Sequence, residues 1–187
     1  MKTIHSKKSK KKKKDYKLVQ YWSILYPKEY VDALTSKTVD ERLTKLASDK
    51  LKETLLKGKL KQDSEGFVFI DVDNNFIDGM YPLIDEEEIE KPPYFGKDGI
   101  GAHVSVISPD EIDEDNKLDI KEIGDTINFK IKEVYSTNPD GWDEMSKVWF
   151  VSIDAPELGK LRKKYDLPET YKNKNHDFHI TIAIKRK

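Results

Sequence analysis

The chain has 187 residues, 36% hydrophobic and 37% charged, with 34 basic and 35 acidic side chains for a formal net charge of −1. That length and composition suit a single globular domain with an unusually charged surface. Cysteine is absent from the sequence, which excludes disulfides, thiolate catalysis, iron–sulfur clusters and cysteine-held zinc. No apolar run approaches the roughly 20 residues that cross a bilayer. The basic start leads into Asp15, Tyr16 and Lys17 and not into an apolar signal segment. No membrane partner is expected, and a cytoplasmic location is.

The near-zero charge conceals an asymmetry. Residues 1–17 hold nine lysines and one acid, so the remainder carries about −9. Residues 1–15 are expected to be a disordered lysine-rich tail, solvated or serving nuclear targeting or loose attraction to RNA. Residues 16–187 are expected to form one domain. An acidic body argues against long-duplex binding but is compatible with a short oligonucleotide.

In chain order, Tyr16 to Leu25 reads as a first strand ended by Tyr26-Pro27. Residues 28–60 read as mostly helical, with Val39, Leu43, Leu46, Leu51 and Leu55 as the apolar stripe and Gly58 as the stop. Gly66 to Val72 is a strand, and Asp73-Asn74-Asn75 turns into an apolar segment, Phe76 to Leu83. After an acidic stretch and Pro92-Pro93 comes a strand around His103, then an acidic loop over 110–119. Thr126 to Tyr135 and Lys147 to Ile153 read as a hairpin with a long connection. Ala155 to Tyr165 is a short helix, and a strand around His179 closes the chain. Strands and helices without a Gly-rich phosphate loop predict an α+β sheet domain.

Two of these strands share one form. Ala102-His103-Val104-Ser105-Val106 and Phe178-His179-Ile180-Thr181-Ile182 each read apolar, His, apolar, hydroxyl, apolar, 76 residues apart. Side chains alternate along a strand, so each segment places an imidazole and a hydroxyl on one face, with apolar residues behind. If the strands adjoin, the result is a cleft with two histidines, equipped to take a proton from one oxygen and give one to another. Ser105 and Thr181 would donate hydrogen bonds to phosphate oxygens. Continued alternation carries Lys185 to the same face, near a substrate phosphate. A lone His-x-Ser/Thr is more often a half-buried histidine bonded to a carbonyl; the second copy tips the reading. With no further cluster of histidines and carboxylates, neither a metal nor another cofactor is expected. His176 reads as a loop residue, and His5 lies in the tail.

The paired motif resembles the signature of the two-histidine (2H) phosphoesterase superfamily, which includes RNA cyclic phosphodiesterases, 2′-5′ RNA ligase-like proteins and viral 2′,5′-phosphodiesterases. Ser105 stands where threonine is commoner. The strand Val148 to Ile153, the Ala-Pro-Glu-Leu helix with Arg162, and Leu167-Pro168 before His-Ile-Thr-Ile-Ala share that look. The likeness spans about residues 95–187. It implies a bilobal fold, two antiparallel sheets flanking a cleft with helices outside, and metal-independent catalysis by His103 and His179 with Ser105 and Thr181 holding the phosphate. It also suggests, as substrates, 2′,5′-linked oligoadenylates or cyclic dinucleotides, whose cleavage would blunt nucleotide-based antiviral immunity. An RNA-end 2′,3′-cyclic phosphodiesterase and a non-catalytic nucleotide- or RNA-binding protein are the alternatives.

For the bases, Tyr94, Phe95 and Trp142 are the stacking candidates; Tyr94 and Phe95 read equally well as cover for the core edge. Trp149 reads as core within its strand, with the cleft as its alternative, and Trp22 reads as core. A monomer is the expectation.

Overall fold

The computed structural model describes residues 38–51, 56–95, 99–112, 118–138, 144–171 and 177–187. The expected first strand, the lysine-rich tail, Trp142 and His176 lie outside the described residues. Eight strands are described: β1 (Thr38–Val39), β2 (Leu56–Gln62), β3 (Val68–Val72), β4 (Ile89–Glu90), β5 (His103–Ile107), β6 (Thr126–Thr137), β7 (Met145–Asp154) and β8 (His179–Arg186). Three α-helices accompany them: α1 (Glu41–Leu51), α2 (Asn75–Met80) and α3 (Pro156–Lys164).

Every strand pairing is antiparallel, in the order β4-β8-β7-β6-β2-β3-β5, with β1 on the far end of β6. The protein is therefore α+β. The two expected sheets are the two halves of one curled sheet joined through β6. Residues 126–129 of β6 pair with β2, and residues from Lys130 onward pair with β7. The curl brings β5, the last strand of one half, back beside β8 of the other.

One face of the sheet is apolar and carries the helices. Leu43 and Ala47 of α1, Phe76, Ile77 and Met80 of α2, and Leu158 and Leu161 of α3 join Ile70, Val104, Phe129, Val151 and Ile180 in one cluster. Trp149 belongs to this core, as expected.

The helix expected over residues 28–60 is shorter. Its described part is α1, and β2 begins at Leu56. The apolar residues at 3–5 spacing concealed the strict alternation Lys57-Gly58-Lys59-Leu60-Lys61, in which Gly58 and Leu60 are buried and the lysines exposed. Gly58 is a strand residue and not a stop. A Cβ there would come within 2.3 Å of the Ile70 side chain and 2.5 Å of the Asp71 carbonyl oxygen, so only glycine fits.

Arg162 ties α3 to β5 from a fully buried position. Its Nη1 donates to the Val106 carbonyl at 2.6 Å, its Nε to the Pro168 carbonyl at 2.7 Å, and its fork to both Glu111 oxygens at 2.6 and 3.1 Å. Glu111 in turn accepts the Ser108 amide at the end of β5, closing a capping box over Pro109–Glu111. Removing one partner of a buried pair costs about 3–5 kcal/mol. Arg162→Met is therefore expected to lower unfolding stability by that amount in urea titrations. Arg162→Lys should recover little of it, because an ammonium cannot reproduce the planar fork.

Candidate active site

The four motif residues lie on the sheet face opposite the helices, on two strands that come into contact. In β5, His103 pairs with Asp71 and Ser105 with Phe69; in β8, His179 pairs with Ser152 and Thr181 with Phe150. Paired residues share a face, so each histidine and its hydroxyl neighbour sit side by side as the alternation requires. His103, Ser105 and His179 are buried, and Thr181 is half-buried.

Both strands interrupt their ladders at the same place. Between Ser105 and Ile107 the pairing with β3 skips Val106; between Thr181 and Ala183 the pairing with β7 skips Ile182. One extra residue reverses the alternation beyond it. Ile107 and Ala183 therefore fall on the apolar face with their neighbours, and all four residues are in the core. Each strand thus offers its histidine and its hydroxyl to the polar face and then turns inward.

This bulge corrects the expectation for Lys185. It pairs with Lys147, on the Trp149 side of β7, away from His179 and Thr181. Its Nζ lies 3.0 Å from Glu86, which Lys147 also holds at 3.1 Å. The two ammonium groups push the Glu86 carboxyl below its ordinary range. Alternation alone places Lys185 wrongly because it cannot register an inserted residue.

Each imidazole is held by its own strand. His103 Nδ1 lies 2.8 Å from the Gly101 carbonyl oxygen, and His179 Nδ1 lies 3.2 Å from that of Asp177. A carbonyl only accepts, so in both rings Nδ1 carries the proton and Nε2 is the basic nitrogen of the neutral form. Gly101 is in the left-handed region (φ +74°), and a Cβ there would come within 2.4 Å of the Asn74 amide oxygen, which accepts the Ala102 N–H. Glycine is thus what lets this carbonyl face His103.

Aromatic rings pack edge-on against both imidazoles. Phe69 and Phe67 approach His103 with ring centroids 6.0 Å away, and Phe150 approaches His179 at 4.8 Å. Each paired phenylalanine is itself stacked, Phe69 on Phe67 and Phe150 on Tyr135, at 5.3 Å. Tyr94 completes the surround of His103 at 4.5 Å. Tyr94 is 5% exposed, which corrects its reading as an open platform for a base; it covers an imidazole. Phe95 is half-buried at the core edge, with the Lys91 ammonium 4.7 Å from its ring.

Burial strips water from the His103 ring and lowers its pKa to about 4, against smaller opposing effects of the Gly101 hydrogen bond and the Asp71 charge. His103 is thus neutral near pH 7. Burial, with the charges of Asp177 and Glu133, pushes the Tyr135 phenol above its ordinary range.

Nothing in the local sequence singles out Phe69, Phe150, Asp71 or Ser152, whose places beside the motif residues come from ladder partners and not from neighbours in sequence. Among the described residues, no group of three histidine, cysteine or acidic side chains comes together as a metal site.

Residues 68–187 match the family model of the Swiss Army Knife 2H phosphoesterase domain. The chain belongs to the 2H phosphoesterase superfamily, and the matched residues include both histidine motifs. The match begins at the first residue of β3, yet β2 lies between β3 and β6 in the same sheet. No curated protein and no solved structure matches the chain.

Titration of the His103 ring by NMR is expected to show a midpoint near 4 in the free protein. Because the folded value lies below the unfolded value of about 6.5, stability is complete above pH 6.5 and falls as pH drops towards 4. His103→Gln should flatten that part of the stability–pH curve; an unchanged slope would assign it to other groups.

Proposed function

We propose that the chain cleaves a phosphodiester beside a free ribose hydroxyl, in 2′,5′-linked oligoadenylates or cyclic dinucleotides, without a metal. The observation that carries this reading is the pair of carbonyl-anchored imidazoles on two strands 76 residues apart in sequence and adjacent in space. A binding protein needs neither the fixed tautomers nor the duplicated hydroxyls.

In a 2′,5′ linkage the 3′-hydroxyl attacks phosphorus. A neutral imidazole removes its proton, the phosphorane charge is held by the Ser105 and Thr181 hydroxyls, and an imidazolium protonates the departing 5′-oxygen. The products are a 2′,3′-cyclic phosphate and a 5′-hydroxyl. The low pKa of His103 favours it as the base, leaving His179 as the acid.

The test is incubation with 2′,5′-linked adenylate, a cyclic dinucleotide and a 2′,3′-cyclic nucleotide, each with excess EDTA. Cleavage of the first or second is expected, and His103→Ala and His179→Ala should each slow it at least about 100-fold. Turnover of the third substrate alone would favour RNA-end processing. Complete loss in EDTA, restored by a divalent cation, would overturn the metal-free mechanism.

The pH dependence gives a second check. kcat/KM should be bell-shaped, its acid limb well below pH 6 because the base of the free protein loses its proton near pH 4. The limbs are macroscopic constants of the pair. A rate that climbs to pH 10, with chemistry limiting, would eliminate a histidine acid.

A further inference from the structure

We propose that Lys57, Lys59 and Lys130 form a phosphate track beside the histidines, holding the backbone of a short single-stranded oligonucleotide beyond its reacting phosphate. The proposal rests on the reading of the histidine face as a phosphodiester site and extends it across the sheet.

The pairing register puts the track on that face. His103 pairs with Asp71, and Asp71 pairs with Lys59, so the three lie in one row across β5, β3 and β2. Two strand spacings separate the Cα atoms of Lys59 and His103 by roughly 10 Å. Lys57, two residues along β2, pairs with Asn128, and Lys130 follows two residues along β6 on the same face. All three lysines are exposed.

Their charges are uncommitted, and the pairing register puts them together on the histidine face. Lys61 is paired with Asp71, Lys132 with Asp177, Lys91 with Asp78, Lys163 with Glu169 and Lys164 with Glu122. Lys57, Lys59 and Lys130 make no ion pair among the described residues, although Lys130 faces Asp154 across the β6–β7 ladder. Such a trio stands out in a body of net charge about −9. Flexible ammonium groups in a row suit successive phosphates and carry no base preference. The β7 end of this face bears Asp154 and Glu133, so the added phosphates run over β2.

The experiment is fluorescence anisotropy with an end-labelled deoxyadenylate hexamer, which lacks the ribose hydroxyl and so is not cleaved by this chemistry. The triple variant Lys57→Gln/Lys59→Gln/Lys130→Gln is compared with wild type and with Lys45→Gln, an exposed lysine of α1. The triple change should weaken binding at least ten-fold and reduce the slope of log K against log salt by about 2, at about 0.7 per phosphate contact on a single strand. Lys45→Gln should bind as wild type does. No binding by wild type, unchanged affinity and slope in the triple variant, or an equal loss in Lys45→Gln would each overturn the track. Binding is read without turnover, so failure of the catalytic reading in the cleavage assay is recorded separately.

Discussion

The structure depends on a single interrupted strand. β6 must pair with β2 at one end and β7 at the other, and the sheet must bend between them for β5 to return to β8. The bend is an extra residue between Ile131 and Val134, which leaves backbone groups outside the regular ladder. Two hydroxyls satisfy them. Ser152 Oγ accepts the Glu133 N–H and donates to the Glu133 carbonyl, both at 3.1 Å. Thr44 Oγ1 accepts the Val134 N–H at 2.9 Å and donates to the Val134 carbonyl at 3.3 Å. One hydroxyl comes from β7 and the other from α1, so the bend is fixed from both sides of the sheet. Ser152 is also the cross-strand partner of His179, which places this hinge next to the second histidine motif.

The same device recurs at smaller scale in the motif strands. A bulge after each hydroxyl residue turns the following two side chains into the core, and at β5 the displaced Val106 carbonyl is taken up by Arg162. The geometry of the imidazoles is therefore set by a carbonyl two residues earlier, a phenylalanine across the ladder, and a bulge residue three positions beyond the histidine. Aromatic packing then sets the electrostatics. Enclosing His103 among Phe67, Phe69 and Tyr94 removes the water that would stabilise an imidazolium, and the nearby Asp71 charge only partly offsets this. An imidazole that stays unprotonated at neutral pH thus follows from packing, against the charge of Asp71.

The sequence by itself determined a great deal here. Alternation in Ala102–Val106 and Phe178–Ile182 fixed which side chains share a face, because that pattern is a local property of an extended backbone. The hairpin of β6 and β7, the α3 helix and the apolar faces were legible for the same reason, and the duplicated motif pointed to the superfamily. Where two periodicities overlapped, as in residues 39–60, leucines at helical spacing hid the alternation of β2, and with it the lysines of the polar face. Only the tertiary structure decided the rest. Bulges, ladder partners and the curl of the sheet are relations between strands distant in sequence, and they sent Lys185 to Glu86, Tyr94 onto an imidazole, and Lys59 into the row of His103. A period-2 pattern states which neighbours agree in direction; what they meet there depends on register, which the packing of the apolar face and the turns set between strands distant in sequence.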